Sequence, residues 1–276
     1  MSLPRCFGVL GDPVAHSRSP VMHAAAFAAL GLPHRYLAFH VDGAGLPAAL
    51  AGARALGFGG LSLTVPHKQA AVALCDELTP TARRIGAVNT VVFSDAGICG
   101  DNTDGHGFAA AVGELAGGAI ERAVILGGGG AALAVIDAVV HALQVRDVRW
   151  VTRDPAALRA ARAPDAGVRV IDYAELAAGP LAADLLVNCT TVGMRQGPRE
   201  WPVALAVDSL RPGARVIDIV YPRPHGGLLD VAEAAGFVVQ DGLPMLLWQG
   251  VRALERWLGG PLPADAVTAM RAALVG

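Results

Sequence analysis

An apolar strand at Arg122–Leu126 runs directly into Gly127-Gly128-Gly129-Gly130-Ala131-Ala132, and from there into an apolar helical stretch reaching about Leu143. No other part of the 276-residue chain restricts its folding so tightly. Strand, glycine turn and helix open a dinucleotide-binding βαβ unit. Gly127 permits the tight turn, Gly129 lets backbone approach a pyrophosphate, and the small Ala132 allows helix and strand to pack closely. Gly128, Gly130 and Ala131 belong to the same cradle. A glycine-rich turn is weak evidence alone, but here a second apolar strand follows at residues 148–151. At its tip stands Thr152-Arg153-Asp154. An acidic residue there suits the ribose hydroxyls of NAD, and an arginine suits the 2′-phosphate of NADP. Both are present, so these residues leave the choice of cofactor open.

Strand and helix patterns alternate from the N-terminus, which predicts an α/β fold with a largely parallel sheet. Strands are expected at 6–10, 34–41, from Leu61, at 86–93, and again at 168–171, 185–188 and 216–220. Helices are expected at 21–30, 46–56, 69–78, 108–115, 243–258 and 264–274. With 53% hydrophobic and 17% charged residues, a substantial core is available. A net charge of -2 without a basic block argues against nucleic acid as a partner. Apolar runs such as 131–140 are far shorter than the ~20 residues needed to span a membrane. The N-terminus carries no apolar signal run, so a cytoplasmic setting is expected. The cysteines at 6, 75, 99 and 189 fit no zinc or redox spacing, and no metal is expected.

Of 22 lysines and arginines, Lys68 is the only lysine. Arginine serves wherever a plain positive charge suffices, whereas lysine can shift its pKa and exchange a proton. Lys68 therefore reads as an acid/base group. It ends the strand-like Leu61-Ser62-Leu63-Thr64-Val65-Pro66-His67-Lys68. The polar run Asp101-Asn102-Thr103-Asp104-Gly105 offers a carboxylate to pair with it, although helix-start aspartates are common for other reasons. Ser19 before Pro20 reads as a helix N-cap. That leaves Ser17 unexplained, and two hydroxyls at a helix N-terminus suit a carboxylate ligand. Asn89, buried at a strand start, must satisfy both donors and acceptor. Thr190 follows the strand at 185–188, at the sheet edge where ligands of such folds gather. Gly242 opens the late helix; Met245 reads first as core, and Gln249 lies one turn further on the same face.

Taken together, Ser17-Arg18-Ser19-Pro20, Leu63 through Lys68, Gly86-Ala87-Val88-Asn89-Thr90, Asp101 through Gly105, Gly127–Ala132, Asn188-Cys189-Thr190, Val220-Tyr221 and Gly242 through Gln249 occur in the order found in shikimate dehydrogenases. The resemblance covers essentially the whole chain. It implies two domains: residues 1–103 with 243–276 for substrate, and residues 104–242 as a Rossmann domain for NAD(P). It implies Lys68 and Asp104 as the catalytic pair, and Ser17 and Ser19 on the substrate carboxylate. Ser62, Thr64, Asn89, Asn102, Tyr221 and Gln249 would complete the substrate site. Gly127 to Ala132, Thr152, Arg153, Thr190, Gly242 and Met245 would surround the cofactor. The implied reaction is NADP-dependent reduction of 3-dehydroshikimate to shikimate, in a monomer or homodimer.

The chain departs from the family pattern in four places. Ser62 stands where many bacterial members have asparagine. Thr152-Arg153-Asp154 replaces Asn-Arg-Thr, Ala157 replaces a second arginine, and Gly226-Gly227 replaces Thr-Pro. These keep open a quinate/shikimate or aminoshikimate enzyme with relaxed substrate choice and NAD use. A dinucleotide-binding regulator that kept the fold is the non-catalytic alternative, though it would need neither Lys68 nor Asp104.

Overall fold

The computed structural model describes residues 3–194 and 197–276. The chain divides into two compact units, Met1–Gly107 with Leu246–Gly276, and Phe108–Met245. The division expected from sequence, at 103/104 and 242/243, lies a few residues from these borders.

The first unit is built on six strands: β1 Cys6–Gly11, β2 Arg35–His40, β3 Gly60–Leu63, β4 Glu77–Leu78, β5 Thr90–Ser94 and β6 Gly97–Asp101, in the order β2-β1-β3-β5-β6-β4. The sheet is largely parallel, as expected, with one strand reversed. β2, β1 and β3 are parallel, but β5 runs antiparallel to both β3 and β6. Only Asp95 and Ala96 separate β5 from β6, and so short a link reverses the chain, whereas a parallel return needs a crossover of a dozen residues or more. Helix Leu46–Ala55 buries Leu46, Leu50 and Ala53, one stripe at helical spacing, against Leu10, Leu61, Leu63 and Val91 of the sheet.

The second unit carries β7 Arg122–Leu126, β8 Asp147–Val151, β9 Val168–Ile171, β10 Leu185–Asn188, β11 Arg215–Asp218 and β12 Val238–Gln240. Their order is β12-β11-β10-β7-β8-β9, and every pair is parallel. Counted from β7, this is the doubly wound 3-2-1-4-5-6 arrangement, with its switch point between β7 and β10. All of β10 and β11 and all of β7 but Arg122 are buried, as expected of strands covered on both faces.

Several local readings change. Ser19 is not an N-cap: helix Ser19–Ala29 begins with it, and Arg18 holds the cap position without a side-chain cap bond. The Ser17 hydroxyl instead accepts from the Ser19 N–H at 3.3 Å. Residues 69–78 do not form one helix. Helix His67–Ala70 passes into a 3-10 turn at Ala71–Leu74, and Glu77–Leu78 is drawn off to pair with β6. Gly86 is left-handed at the end of helix Pro80–Ile85, so the strand expected from residue 86 begins at Thr90. The helix after the glycine turn is α-helical over Gly130–Asp137 and ends in a π-helical turn, Ala138–Ala142.

Candidate active site

The first unit concentrates its buried polar residues where β3 ends and β5 begins. Lys68 lies on the short helix after β3, and its carbonyl accepts from the Val88 N–H at 2.7 Å. Its Nζ donates to Asp104 Oδ2 at 2.6 Å, with the side chains only 16% and 6% exposed. The other Asp104 oxygen accepts from Asn89 Nδ2 at 2.8 Å. Both carboxylate oxygens are therefore held, which fixes the ion pair in one geometry and leaves the ammonium two further N–H donors.

Asn89 is the crosslink of this group. Its Nδ2 also faces Thr103 Oγ1 at 3.1 Å and Gln249 Oε1 at 3.4 Å. Its Oδ1 accepts from the Thr103 N–H and the Thr90 hydroxyl, both at 2.8 Å. Asn102 turns the chain, donating to the Ala87 carbonyl at 2.9 Å and accepting from the Asp104 N–H at 3.1 Å. Gln249 is anchored by Nε2 on the Leu246 carbonyl at 2.7 Å. The late helix Leu243–Leu258 is held to the sheet by Trp257 Nε1 on the Val91 carbonyl and by Arg256 on Asp101. The sequence does not single out Thr103, yet its hydroxyl lies between Asn89 and Thr90. Its place between Asn102 and Asp104 is the available signal.

Thr64 is joined to the end of β1: its N–H donates to the Leu10 carbonyl, and a side chain at Gly11 would overlap its methyl. Ser62 is buried within β3, paired with Val9 and Thr90. Ser17 and Ser19 share one turn at the head of helix Ser19–Ala29, Ser19 being buried. Tyr221, assigned to the substrate by resemblance, belongs to the second unit.

In the second unit, Gly127 follows β7 with φ 123°, and a Cβ there would lie 2.8 Å from the Cys189 carbonyl oxygen. Its N–H donates to Val151 and its carbonyl accepts from Trp150 Nε1 at 2.6 Å. A Cβ on Gly128 would come 3.0 Å from Thr152 Oγ1, whereas one on Gly129 would meet nothing within 4 Å. The space beside Gly129 is thus open, at the head of helix Gly130–Asp137, and Ala132 is fully buried. A pyrophosphate fits such an opening, since the first N–H groups of a helix lack internal partners. Thr190 is fixed by Asn188, whose Oδ1 accepts from both its N–H and its hydroxyl at 2.8 Å. Asn188 in turn donates to Asp218 at 2.9 Å. Burial pushes the Asp218 carboxyl up to about 6, against the lowering effect of hydrogen bonds from Val220 N–H and Asn188. Gly242 admits no side chain, because a Cβ would overlap the Ile219 carbonyl; Met245 is buried. Arg153 is exposed, and Asp154 caps helix Pro155–Ala161 by accepting from the Ala157 N–H at 2.8 Å. Among the described residues there is no cluster of three or more metal-ligating side chains and no helix long and apolar enough to cross a membrane.

A doubly wound parallel sheet with an open glycine turn, in a chain that also holds a buried lysine–carboxylate pair, defines a dinucleotide-dependent oxidoreductase. Residues 9–91 match the model of the shikimate dehydrogenase substrate binding domain. The shikimate dehydrogenase (NADP(+)) of Moorella thermoacetica is 45% identical over 92% of this chain and 88% of its own. Shikimate 5-dehydrogenase from Thermus thermophilus, solved with shikimate, is 38% identical and superposes with a TM-score of 0.79 over 99% of this chain and 100% of its own. The Listeria monocytogenes shikimate 5-dehydrogenase, solved with shikimate and NAD, is 33% identical with a TM-score of 0.80, covering 96% and 95%. The chain belongs to the shikimate dehydrogenase family.

Proposed function

We propose that the chain catalyses the reversible, NADP-dependent reduction of 3-dehydroshikimate to shikimate, with Lys68 and Asp104 handling the proton. The observation that carries this reading is the 2.6 Å Lys68–Asp104 pair, nearly closed off from solvent. NADP, when bound, supplies or takes up the hydride. As the substrate carbonyl becomes an alkoxide, its oxygen needs a proton, and Lys68 Nζ is the donor. Asp104 keeps that ammonium oriented; in the reverse direction the neutral amine of Lys68 takes the hydroxyl proton. Asn89 fixes Asp104 from behind and Gln249 meets Asn89 in turn, and together with Thr64, Asn102 and Ser62 they form the wall for the ring hydroxyls. Ser17 and Ser19 hold the substrate carboxylate.

The first unit is accordingly the substrate domain and the second the cofactor domain. Gly127 to Ala132 and Thr190 receive the dinucleotide phosphates and nicotinamide end, and Thr152 and Arg153 the 2′-phosphate. Asp154 commits a carboxylate oxygen to its own helix, which supports NADP over NAD. We read the protein as cytoplasmic, monomeric or dimeric, and without a nucleic-acid partner, in keeping with its net charge of -2.

The test is steady-state turnover of shikimate and quinate with NADP and with NAD, for the unaltered chain and for Lys68→Met and Asp104→Asn. Losses of ~10²–10⁴ in kcat are expected for each variant. Unchanged turnover in Lys68→Met would refute the catalytic assignment, and equal use of quinate or NAD would move the chain to the relaxed-specificity reading.

A further inference from the structure

Arg18 stands between the two serines, and its side chain leads away from them to the end of the chain. Its Nη2 donates to the Leu274 carbonyl at 2.9 Å and faces the Ala273 carbonyl at 3.4 Å. These belong to the last turn of helix Ala264–Val275, which has no basic residue of its own there. Carbonyls in a helix's last turn have no later N–H to receive, and they carry the negative end of the helix dipole, so a guanidinium is a fitting cap. The helix lies against helix Ser19–Ala29 and is anchored by buried Ala266, Met270 and Leu274 at a spacing of one helical turn each. The backbone of Arg18 is fixed at the same time: its carbonyl accepts from the Met22 N–H at 3.2 Å and opens helix Ser19–Ala29. Arg18 Nε is buried without a hydrogen-bond partner among the described residues. The two carbonyls at Nη2, rather than full satisfaction of the guanidinium, therefore set the side chain's direction.

We infer that the C-terminal helix sets the geometry of the substrate-carboxylate site, with Arg18 as the positioning residue that ties its last turn to the Ser17–Ser19 turn. The inference rests on the reading of Ser17 and Ser19 as carboxylate ligands. The substrate carboxylate keeps its charge and shape as the ketone is reduced, so contacts to it act alike in ground and transition states; loosening its site raises KM and leaves kcat in place.

The experiment compares the unaltered enzyme with Arg18→Gln, with a chain ending at Ala272, and with the two changes combined. Each single change should raise KM for shikimate about 10-fold, the scale of a lost charge-assisted hydrogen bond. kcat and KM for NADP should stay within about two-fold, and the combination should be no worse than either change alone, since both cut one link. Arg18→Lys should recover part of the loss, because an ammonium can still reach one carbonyl. Shikimate methyl ester should show little difference among the variants. An unchanged KM in Arg18→Gln would overturn the inference. So would a rise confined to Arg18→Gln with the shortened chain unaffected, which would make Arg18 a bare charge, or equal losses on acid and ester, which would mean general damage. Replacing both Ser17 and Ser19 by alanine separates the premises: if KM for shikimate does not move, the carboxylate-site reading itself fails.

Discussion

His23→Phe removes a titration without removing a hydrogen bond. The imidazole is 1% exposed, and neither ring nitrogen has a hydrogen-bond partner among the described residues. It stacks on Tyr36 with ring centroids 4.2 Å apart and planes 15° apart, and Trp257 lies 5.6 Å away. Burial holds its pKa down at about 3, from an ordinary 6.5. The unfolded chain therefore takes up a proton near pH 6.5 while the folded chain stays neutral. This contribution to stability is intact above pH 6.5 and is lost progressively as pH falls toward 3. One proton corresponds to ~1.4 kcal/mol per pH unit, so between pH 7 and pH 5 the enzyme loses ~2 kcal/mol through this group. Phenylalanine keeps the aromatic stack and cannot titrate, so near pH 7 it should lie within ~1.5 kcal/mol of the original. Urea unfolding followed by tryptophan fluorescence at pH 7, 6 and 5 measures both proteins. Groups common to the two cancel in the difference. The variant should gain ~2 kcal/mol on the original across that range. A difference that does not change with pH would refute the reasoning, because it would mean that His23 protonates in the folded protein as readily as in the unfolded one.

Other consequences can be checked alongside. Gly127→Ala places a Cβ 2.8 Å from the Cys189 carbonyl oxygen on a backbone with φ 123°; a loss of ~1–3 kcal/mol in stability, read by thermal unfolding, is expected together with a raised KM for NADP. Arg153→Ala should raise KM for NADP ~10-fold or more while leaving NAD nearly unaffected, since only the 2′-phosphate loses its ion pair; an equal effect on both cofactors would contradict the assignment. Asp218 has the opposite linkage to His23. With its folded pKa raised to about 6, its contribution is full below the unfolded value near 3.8 and is lost as pH rises through 6. Asp218→Asn should abolish that slope and be the more stable form at pH 8, by up to ~3 kcal/mol. The same slope in both proteins would show that Asp218 ionises normally.

The parts of this molecule that were legible in the sequence are those decided by local chemistry. The glycine turn after β7 was readable because a backbone at positive φ, against a neighbouring carbonyl, excludes every side chain. The buried strands of the second unit were readable as apolar runs, because strands covered on both faces carry few polar residues. The one reversed strand of the N-terminal sheet, β5, follows from its two-residue link to β6, which is too short for a parallel crossover. Ser19 was misplaced by one position because the capping pattern does not distinguish the first helical residue from the one before it. Asp154 beside Arg153 left the cofactor open on sequence, and the bond from Ala157 turned that carboxylate to its own helix.

The sequence by itself determined the strand–glycine turn–helix of a βαβ unit and singled out one lysine, Lys68, as the residue suited to proton exchange. Both follow from what glycine and lysine can do that other residues cannot. Spacing alone left open which carboxylate of the 101–104 run meets that lysine; the family resemblance pointed to Asp104, and the tertiary structure brings that residue to it. Asp101 is taken by Thr79 and Arg256, and Asp104 alone reaches Lys68. Only the fold, too, brought Gln249 to Asn89 across 160 residues and Arg18 to Leu274 across 256. Such pairings depend on how helices pack against a sheet, and no spacing along the chain encodes them.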